Sequence, residues 1–172
     1  MLIARTAILF LTAFLAFAGL SHALPGLPRL AGEAWRAVAH EQGPVPVKGK
    51  EALGLYADRF GHFGVDAHFG EEPVRLLVDS GASYVGLTAE DAGRIGIDPA
   101  PEDFTIAVET ANGTVRLAPV VIPELRLGHI TLVDVPATIS PRGALHESLL
   151  GMTALSRFSR VEFSRRRMLL VP

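Results

Sequence analysis

The chain has 172 residues, enough for one domain of ordinary size once an apolar N-terminal segment is set aside. Hydrophobic residues make up 49% and charged residues 20%, a balance that excludes a disordered chain. The net charge of −2 offers no broad basic field for nucleic acid, and the absence of cysteine excludes disulfides, thiolate metal sites and a cysteine nucleophile.

The first residues predict a signal peptide or an N-terminal membrane anchor, over residues 1–23. Residues 1–5 form a short, positively charged start, and residues 6–20 are an apolar run without charge. The small residues Ser21 and Ala23 suit cleavage by a signal peptidase, whereas an uncleaved segment would anchor the chain in a membrane. Both interpretations place the rest of the chain outside the cytoplasm.

Residues 24–54 predict a linker. This stretch contains four prolines and several glycines, a composition that suits a connecting segment better than a packed layer, and only residues 30–40 could form a short helix within it. The compact domain is therefore expected over residues 55–172.

The start of that domain reads as β-structure. Phe63, Val65, Ala67 and Phe69 alternate with more polar residues, which predicts a strand with one buried face. Residues 74–78 are nearly all apolar and predict a second, central strand.

A third short strand is expected over residues 84–87, followed by a helix. Thr88 can cap a helix over residues 89–95, with Asp91 in its first turn, where an acidic side chain is favourable.

Residues 104–109 and 114–121 flank the sequence Thr110-Ala111-Asn112-Gly113, and Asn-Gly is a strong signal for a tight hairpin. A projecting hairpin is therefore predicted. Further strands are expected over residues 124–127, 130–137, 160–163 and 168–171, with a helical turn over residues 152–157.

The feature most indicative of chemistry is the end of the central strand. The apolar residues up to Val78 run directly into Asp79, Ser80 and Gly81. Burying a carboxylate at the end of a core strand is costly, so such a residue needs a partner or a function. Ordinary turn formation is the alternative, because Asp, Ser and Gly all favour turns. The apolar flanks, Val78 before and Tyr84-Val85 after, argue against that alternative.

The sequence Leu77-Val78-Asp79-Ser80-Gly81-Ala82 resembles the signature of retropepsin-like aspartic proteases, in particular the bacterial membrane-associated type. Two further elements carry the resemblance. Leu149-Leu150-Gly151 precedes a helical turn, and the hairpin at residues 110–114 corresponds to the flap. The resemblance extends from about Tyr56 to Pro172.

This resemblance implies an all-β fold: a closed β-barrel protomer with one or two short helices, which forms a homodimer because one Asp-Ser-Gly motif is present. It implies a catalytic loop of Asp79, Ser80 and Gly81, in which two copies of Asp79 activate a water for attack on a peptide bond. The implied substrate-binding residues are Ala82, Ser83, Thr110, Ala111, Asn112 and Gly113, and the implied supporting residues are Leu149, Leu150 and Gly151.

The resemblance also implies a peptide or protein substrate, no metal and no organic cofactor. With residues 6–23 as export signal or tether, it implies a periplasmic protein, either anchored in the inner membrane or secreted after cleavage. A catalytically inactive retropepsin-like domain serving as a cell-envelope binding or assembly module is the alternative, and a periplasmic ligand-binding barrel is a third interpretation.

Other polar groups are interpreted as surface features. His62, Asp66 and His68 share one face of a strand and could bind a metal, although a solvent-facing side has the same pattern. Residues 165–167 are three arginines in an expected turn, for which contact with lipid headgroups is the alternative to simple exposure. No Gly-x-Ser-x-Gly nucleophile motif is present.

Overall fold

The structure is a computed structural model, and it describes residues 51–110 and 113–172. The predicted signal peptide or anchor (residues 1–23) and the predicted linker up to residue 50 lie outside the described residues. Within the described part of the chain, no helix is both long enough and apolar enough to span a membrane.

The described chain consists mainly of β-strands with two short helices. In chain order the elements are β1 (Leu53–Tyr56), β2 (Gly64–Phe69), β3 (Glu72–Val78), β4 (Val85–Leu87), α1 (Ala89–Arg94), a 3-10 turn (Pro101–Asp103), β5 (Ile106–Thr110), β6 (Gly113–Leu127), β7 (Ile130–Ile139), β8 (Leu149–Leu150), α2 (Met152–Leu155), β9 (Arg160–Phe163) and β10 (Arg167–Val171).

Six of these strands close into a barrel. The main sheet has the order β2-β3-β8-β4-β7-β6-β5, and β2 also pairs with β6, with Ala67 opposite Leu127. Closure pairs backbone N–H and C=O groups that the edge strands of an open sheet would expose. The predicted all-β barrel with short helices is confirmed, and β5 lies outside the closed ring, paired with β6 as a hairpin.

The barrel interior is filled by aliphatic side chains from alternating positions. On β2, Val65, Ala67 and Phe69 are buried, as their period of two predicts. The largest fully buried side chains include Leu76, Leu87, Ile122, Leu125, Leu127, Ile130, Leu132, Ile139 and Leu150.

β6 is one strand of 15 residues, although the sequence predicted two strands separated at Pro123. The ladder with β7 continues on both sides of this proline, with Ile122 opposite Val135 and Glu124 opposite Val133. Opposite Pro123 lies Asp134, whose φ of 49° marks a local kink. The kink accommodates a residue that cannot donate a ladder hydrogen bond.

A second sheet, with the order β1-β10-β9, packs against the barrel through Leu55, Met168 and Leu170, which are all buried. β1 begins at Leu53, inside the range predicted as linker, and no strand was predicted there. Its short sequence becomes a strand because it pairs with β10 at the other end of the chain, with Leu55 opposite Met168.

The predicted helix after β4 is confirmed as α1. The Thr88 hydroxyl accepts a hydrogen bond from the Asp91 amide at 3.1 Å, the expected N-terminal cap. Arg94, in the last turn, forms an ion pair with Asp91 at 2.9 Å.

Candidate active site

Asp79 directly follows β3, where that strand runs parallel to β8. Leu77 lies opposite Leu149 and Val78 opposite Leu150. The ladder extends one step further, because the Asp79 amide donates to the Leu150 carbonyl oxygen at 3.1 Å. The backbone of Asp79 is therefore held by β8.

The loop after Asp79 is organised by Asp79 itself. Its Oδ1 accepts a hydrogen bond from the Gly81 amide at 2.8 Å, and its carbonyl oxygen accepts one from the Ala82 amide at 3.3 Å. A methyl group on Gly81 would lie 3.1 Å from Asp79 Oδ1, so the absence of a side chain lets the loop fold tightly around the carboxylate. These contacts fix the orientation of one carboxylate oxygen.

The far side of the loop rests on the start of α2. The Met152 amide donates to the Ala82 carbonyl oxygen at 2.8 Å, and the Thr153 amide donates to that of Ser83 at 3.1 Å. A Cβ atom at Gly151 would lie only 2.0 Å from the Tyr84 carbonyl oxygen. Glycine is therefore required at position 151 by the close approach of two backbones.

The structure thus brings two of the three predicted elements together: the loop at Asp79 and the Leu149-Leu150-Gly151 strand. The sequence predicted a buried Asp79 carboxylate at the end of a core strand, but in the single chain the Asp79 and Val78 side chains are only half-buried. Ser80, Gly81 and Ser83 are exposed, and the Ser80 hydroxyl makes no hydrogen bond within the described residues. The apolar strand ends at the rim of the barrel, where water reaches the loop.

The third predicted element, expected to be a flap, is formed as a hairpin of β5 and β6. Thr110 lies opposite Gly113, so the two-residue connection is Ala111-Asn112, which lies outside the described residues. Gly113 has a φ of 106°, a conformation that favours glycine. Behind the tip, the Thr114 hydroxyl donates to Glu109 Oε1 at 2.8 Å.

Sequence reasoning missed a buried serine that joins α1 to β8. Ser148 is 1% exposed; its hydroxyl donates to Asp91 Oδ2 at 2.6 Å and accepts from the Thr88 amide at 3.0 Å. Its carbonyl oxygen accepts from the Leu77 amide at 2.8 Å, two residues before Asp79. Its position directly before Leu149-Leu150-Gly151 was the one feature of the sequence that could have drawn attention to Ser148.

Sequence reasoning also missed Thr153, in α2. Its hydroxyl accepts a hydrogen bond from the Val85 amide at 2.9 Å and donates to the Pro136 carbonyl oxygen at 2.7 Å. One side chain thus ties α2 to β4 and β7, the strands next to the loop that starts at Asp79.

Arg157, just after α2, is a further missed residue. Its guanidinium donates to the carbonyl oxygens of Thr153 at 3.0 Å and Asp134 at 2.8 Å, and also to that of Val133. Burial lowers the pKa of Arg157, and the nearby Asp134 carboxylate acts in the opposite direction. The guanidinium clamps the kinked β7 backbone to the helix that supports the loop.

The other candidate groups lie apart from this site. Asp66 faces outward on β2 and forms an ion pair with Arg75 at 3.0 Å. Across residues 51–110 and 113–172, no group of three His, Asp or Glu side chains could hold a metal ion. Residues 165–167 are exposed, as predicted.

A closed barrel in which a single Asp-Ser-Gly loop is supported by a Leu-Leu-Gly strand and a short helix is the arrangement of the retropepsin-like aspartic proteases. The chain belongs to the family described as "gag-polyprotein putative aspartyl protease", which matches residues 65–157, more than half of its length.

Comparison with a solved structure agrees with this assignment. The chain is similar to the crystal structure of a retropepsin-like aspartic protease from Rickettsia conorii, with a TM-score of 0.64 and 30% sequence identity. The similarity covers 70% of this chain and 98% of that one.

Two uncharacterized proteins are related in sequence. One, from the cobV 5′ region of a Sinorhizobium species, is 42% identical over 109 residues, which is 63% of this chain and 47% of that protein. The other, from Rickettsia prowazekii, is 35% identical over 98 residues, which is 57% of this chain and 42% of that protein. The chain spans less than half the length of these relatives in each match.

Proposed function

We propose that the chain is an aspartic endopeptidase whose active site forms when Asp79 of two identical copies meet. The observation that carries the proposal is the Asp79 loop itself: one carboxylate, oriented by the Gly81 amide at 2.8 Å, in a loop with an exposed surface. A water-activating aspartic protease needs two carboxylates, and this family member has one Asp-Ser-Gly sequence.

The proposed chemistry is general acid and base catalysis without a covalent intermediate. Two carboxylates a few ångström apart share one proton, so one is ionised and the other is not. The ionised carboxylate takes a proton from water as the water oxygen attacks the peptide carbonyl carbon. The protonated carboxylate donates to the carbonyl oxygen, and proton transfer to the amine then releases the two peptide products.

The exposed loop surface supports a symmetric assembly. Ser80 is exposed, and its hydroxyl is without a hydrogen bond within residues 51–110 and 113–172. In the proposed dimer, the two Ser80 hydroxyls bind across the symmetry axis and hold the loops together. The β5–β6 hairpin closes over the peptide and excludes water.

We further propose that the protein acts in the periplasm, with residues 6–23 as export signal or membrane tether. This proposal is supported by the uncharged run that begins after Arg5 in the sequence.

The test is cleavage of a peptide library by the full chain, measured over a range of protein concentrations and with a pepstatin-type inhibitor. We expect Asp79→Asn to abolish cleavage, whereas the matched control Asp98→Asn, which changes an exposed aspartate outside the site, leaves activity unchanged. Specific activity should fall on dilution below the dimer dissociation constant.

Activity that survives Asp79→Asn would show that another group is the catalyst. A confirmed dimer without activity would favour the inactive binding module, and activity independent of dilution through dimer dissociation would contradict the shared site.

A further inference from the structure

Exposed aromatic side chains collect at one end of the β1-β10-β9 sheet. Among the described residues four large hydrophobic side chains are exposed, and three of them are here: Tyr56 at 73%, Phe60 at 68% and Phe163 at 63%. Tyr56 ends β1, Phe163 ends β9, and Phe60 lies in the loop between β1 and β2. An exposed cluster of this kind marks an interaction surface.

The same end of the sheet carries an unusual concentration of positive charge. Residues 51–172 contain 11 arginines, no lysine and 16 acidic residues, so the domain as a whole is acidic. Four of those arginines, Arg59, Arg165, Arg166 and Arg167, lie here and are exposed. None of the four forms an ion pair with any acidic group in the described part of the chain.

Specific contacts join these residues into one surface, here called the aromatic-arginine corner (Tyr56, Arg59, Phe60, Phe163 and Arg165 to Arg167). The Ala57 amide donates to the Arg166 carbonyl oxygen at 3.0 Å, and Tyr56 lies opposite Arg167 in the β1–β10 ladder. Phe163 makes an edge-to-face contact with Phe63, with ring centroids 6.0 Å apart.

The loop that presents Phe60 is held in shape before any partner binds. Asp58 Oδ1 accepts hydrogen bonds from the amides of Phe60 at 2.7 Å and His62 at 2.9 Å. The Arg59 guanidinium lies 4.6 Å from the centroid of the Phe60 ring. The acidic side chain of this loop is thus engaged with its own backbone, and the exposed tip offers a ring and a cation.

We propose that the aromatic-arginine corner docks the domain onto a bilayer surface with anionic headgroups. Arginines bind lipid phosphates, and aromatic rings favour the boundary between headgroups and hydrocarbon. The charge pattern selects this occupant: an acidic domain is repelled by an anionic surface on its other sides, so the corner is the side that can approach. The rings of Tyr56 and Phe163 stand at the ends of two strands and that of Phe60 in a loop, so all three project from one end of the sheet and can enter a soft surface together.

Docking here also sets how the candidate active site faces the membrane. The Val78 amide, one residue before Asp79, donates to the Phe63 carbonyl oxygen at 2.8 Å, so the strand that leads to Asp79 is bonded to the end of the loop that presents Phe60. This step rests on the proposed tether at residues 6–23: the tether keeps the domain near the bilayer, and the aromatic-arginine corner sets its orientation there.

The test uses the full chain carrying Asp79→Asn, reconstituted in vesicles of phosphatidylcholine with or without phosphatidylglycerol. Because the chain has no cysteine, Phe60→Cys provides a single site for an environment-sensitive fluorophore. Glu124→Cys, at an exposed position on β6, is the matched control. We expect a blue shift and quenching by brominated lipid at position 60 only, only with phosphatidylglycerol, and reversed by high salt.

Adding Arg165→Gln, Arg166→Gln and Arg167→Gln should lower quenching at position 60 to the level of the Glu124→Cys control. Equal quenching in both vesicle types, or none in either, would overturn the inference. A blue shift that appears without vesicles and grows with protein concentration would instead assign the corner to contact with a second copy. Because every variant carries Asp79→Asn, the measurement does not depend on catalysis, and none of these outcomes tests the proposed protease activity.

Discussion

The hydroxyl of Ser148 donates to Oδ2 of Asp91 across a distance of 2.6 Å, although the two residues are 57 positions apart in the chain. Asp91 is bound from its other side by Arg94, which also reaches the Pro73 carbonyl oxygen at 2.6 Å, near the start of β3. This network connects α1 to β3, which leads to Asp79, and to Ser148, the residue directly before β8.

Replacing Ser148 with alanine should lower both stability and turnover. The change leaves the Thr88 amide and an Asp91 oxygen without their partner in a buried place, which costs about 1 to 3 kcal/mol of unfolding free energy. Because the two lost side-chain bonds hold the residue before β8, which pairs with β3 next to Asp79, we expect kcat to fall more than KM rises. Denaturant unfolding and peptide cleavage measure the two effects. Ser156→Ala, which removes an exposed hydroxyl that donates to the Met152 carbonyl oxygen, is the control.

Gly151→Ala should abolish the native arrangement of the loop. The new Cβ would lie 2.0 Å from the Tyr84 carbonyl oxygen, so the backbone of α2 or of the Asp79 loop must move. We expect a loss of stability of about 1 to 3 kcal/mol, as for overpacking elsewhere, together with loss of cleavage. Gly93→Ala in α1 is the matched control, since nothing lies within 4 Å of its added methyl group, and it should be stabilising by about 0.5 to 1 kcal/mol. A Gly151→Ala protein with full activity would contradict the required close approach.

Ser80→Ala should weaken the proposed dimer while leaving the folded chain unchanged. The hydroxyl makes no hydrogen bond within the described parts of a single chain, so thermal unfolding should be affected by less than about 0.5 kcal/mol. Two lost hydrogen bonds across the axis predict a dimer dissociation constant raised by about tenfold. Analytical ultracentrifugation measures the association. Ser80→Thr keeps the hydroxyl and should restore it; equal weakening by both changes would exclude the hydroxyl contact.

Arg157→Met should destabilise the domain through the backbone carbonyls it leaves behind. Thr153 and Asp134 lose donors at 3.0 and 2.8 Å, and Val133 loses a third, for an expected cost of about 2 to 4 kcal/mol. Burial of the charged guanidinium carries a desolvation cost, which also lowers the pKa of Arg157. The substitution removes this cost, and that offsets part of the lost stability. Arg157→Lys should recover little, because an ammonium cannot serve the same planar set of acceptors. Thermal unfolding compares the variants.

The loop at Asp58 should loosen in acid. Hydrogen bonding by the His62 amide is the largest cause that lowers the pKa of Asp58 from its ordinary value of 3.8. A carboxylate with a lowered pKa stabilises the folded loop above 3.8, and that contribution is lost as the pH falls through the lowered value. Amide proton shifts of Phe60 and His62, followed by NMR across this range, should report the change. Asp58→Asn keeps an acceptor oxygen without titrating, so its shifts should stay constant.

The sequence predicted most of the barrel because its strands have strong local signals. The alternation of Val65, Ala67 and Phe69 and the Thr88 cap each depend on near neighbours, and both are confirmed. β1 was not predicted, since its four residues have no strand signal of their own and pair with β10 more than 100 positions away.

The sequence was sufficient to identify the loop of Asp79, Ser80 and Gly81 and the Leu149-Leu150-Gly151 element. Both are recognised by the types and the order of adjacent residues. What decides their geometry is distributed over distant residues: Ser148, Thr153 and Arg157 act through backbone atoms of strands and loops that only folding brings near. An uncharged serine or threonine has no sequence pattern that marks such a bond. The half-exposure of Asp79 was likewise decided by the tertiary structure. An apolar run predicts that a strand packs in the core, but it does not determine how close to the rim of the barrel that strand ends.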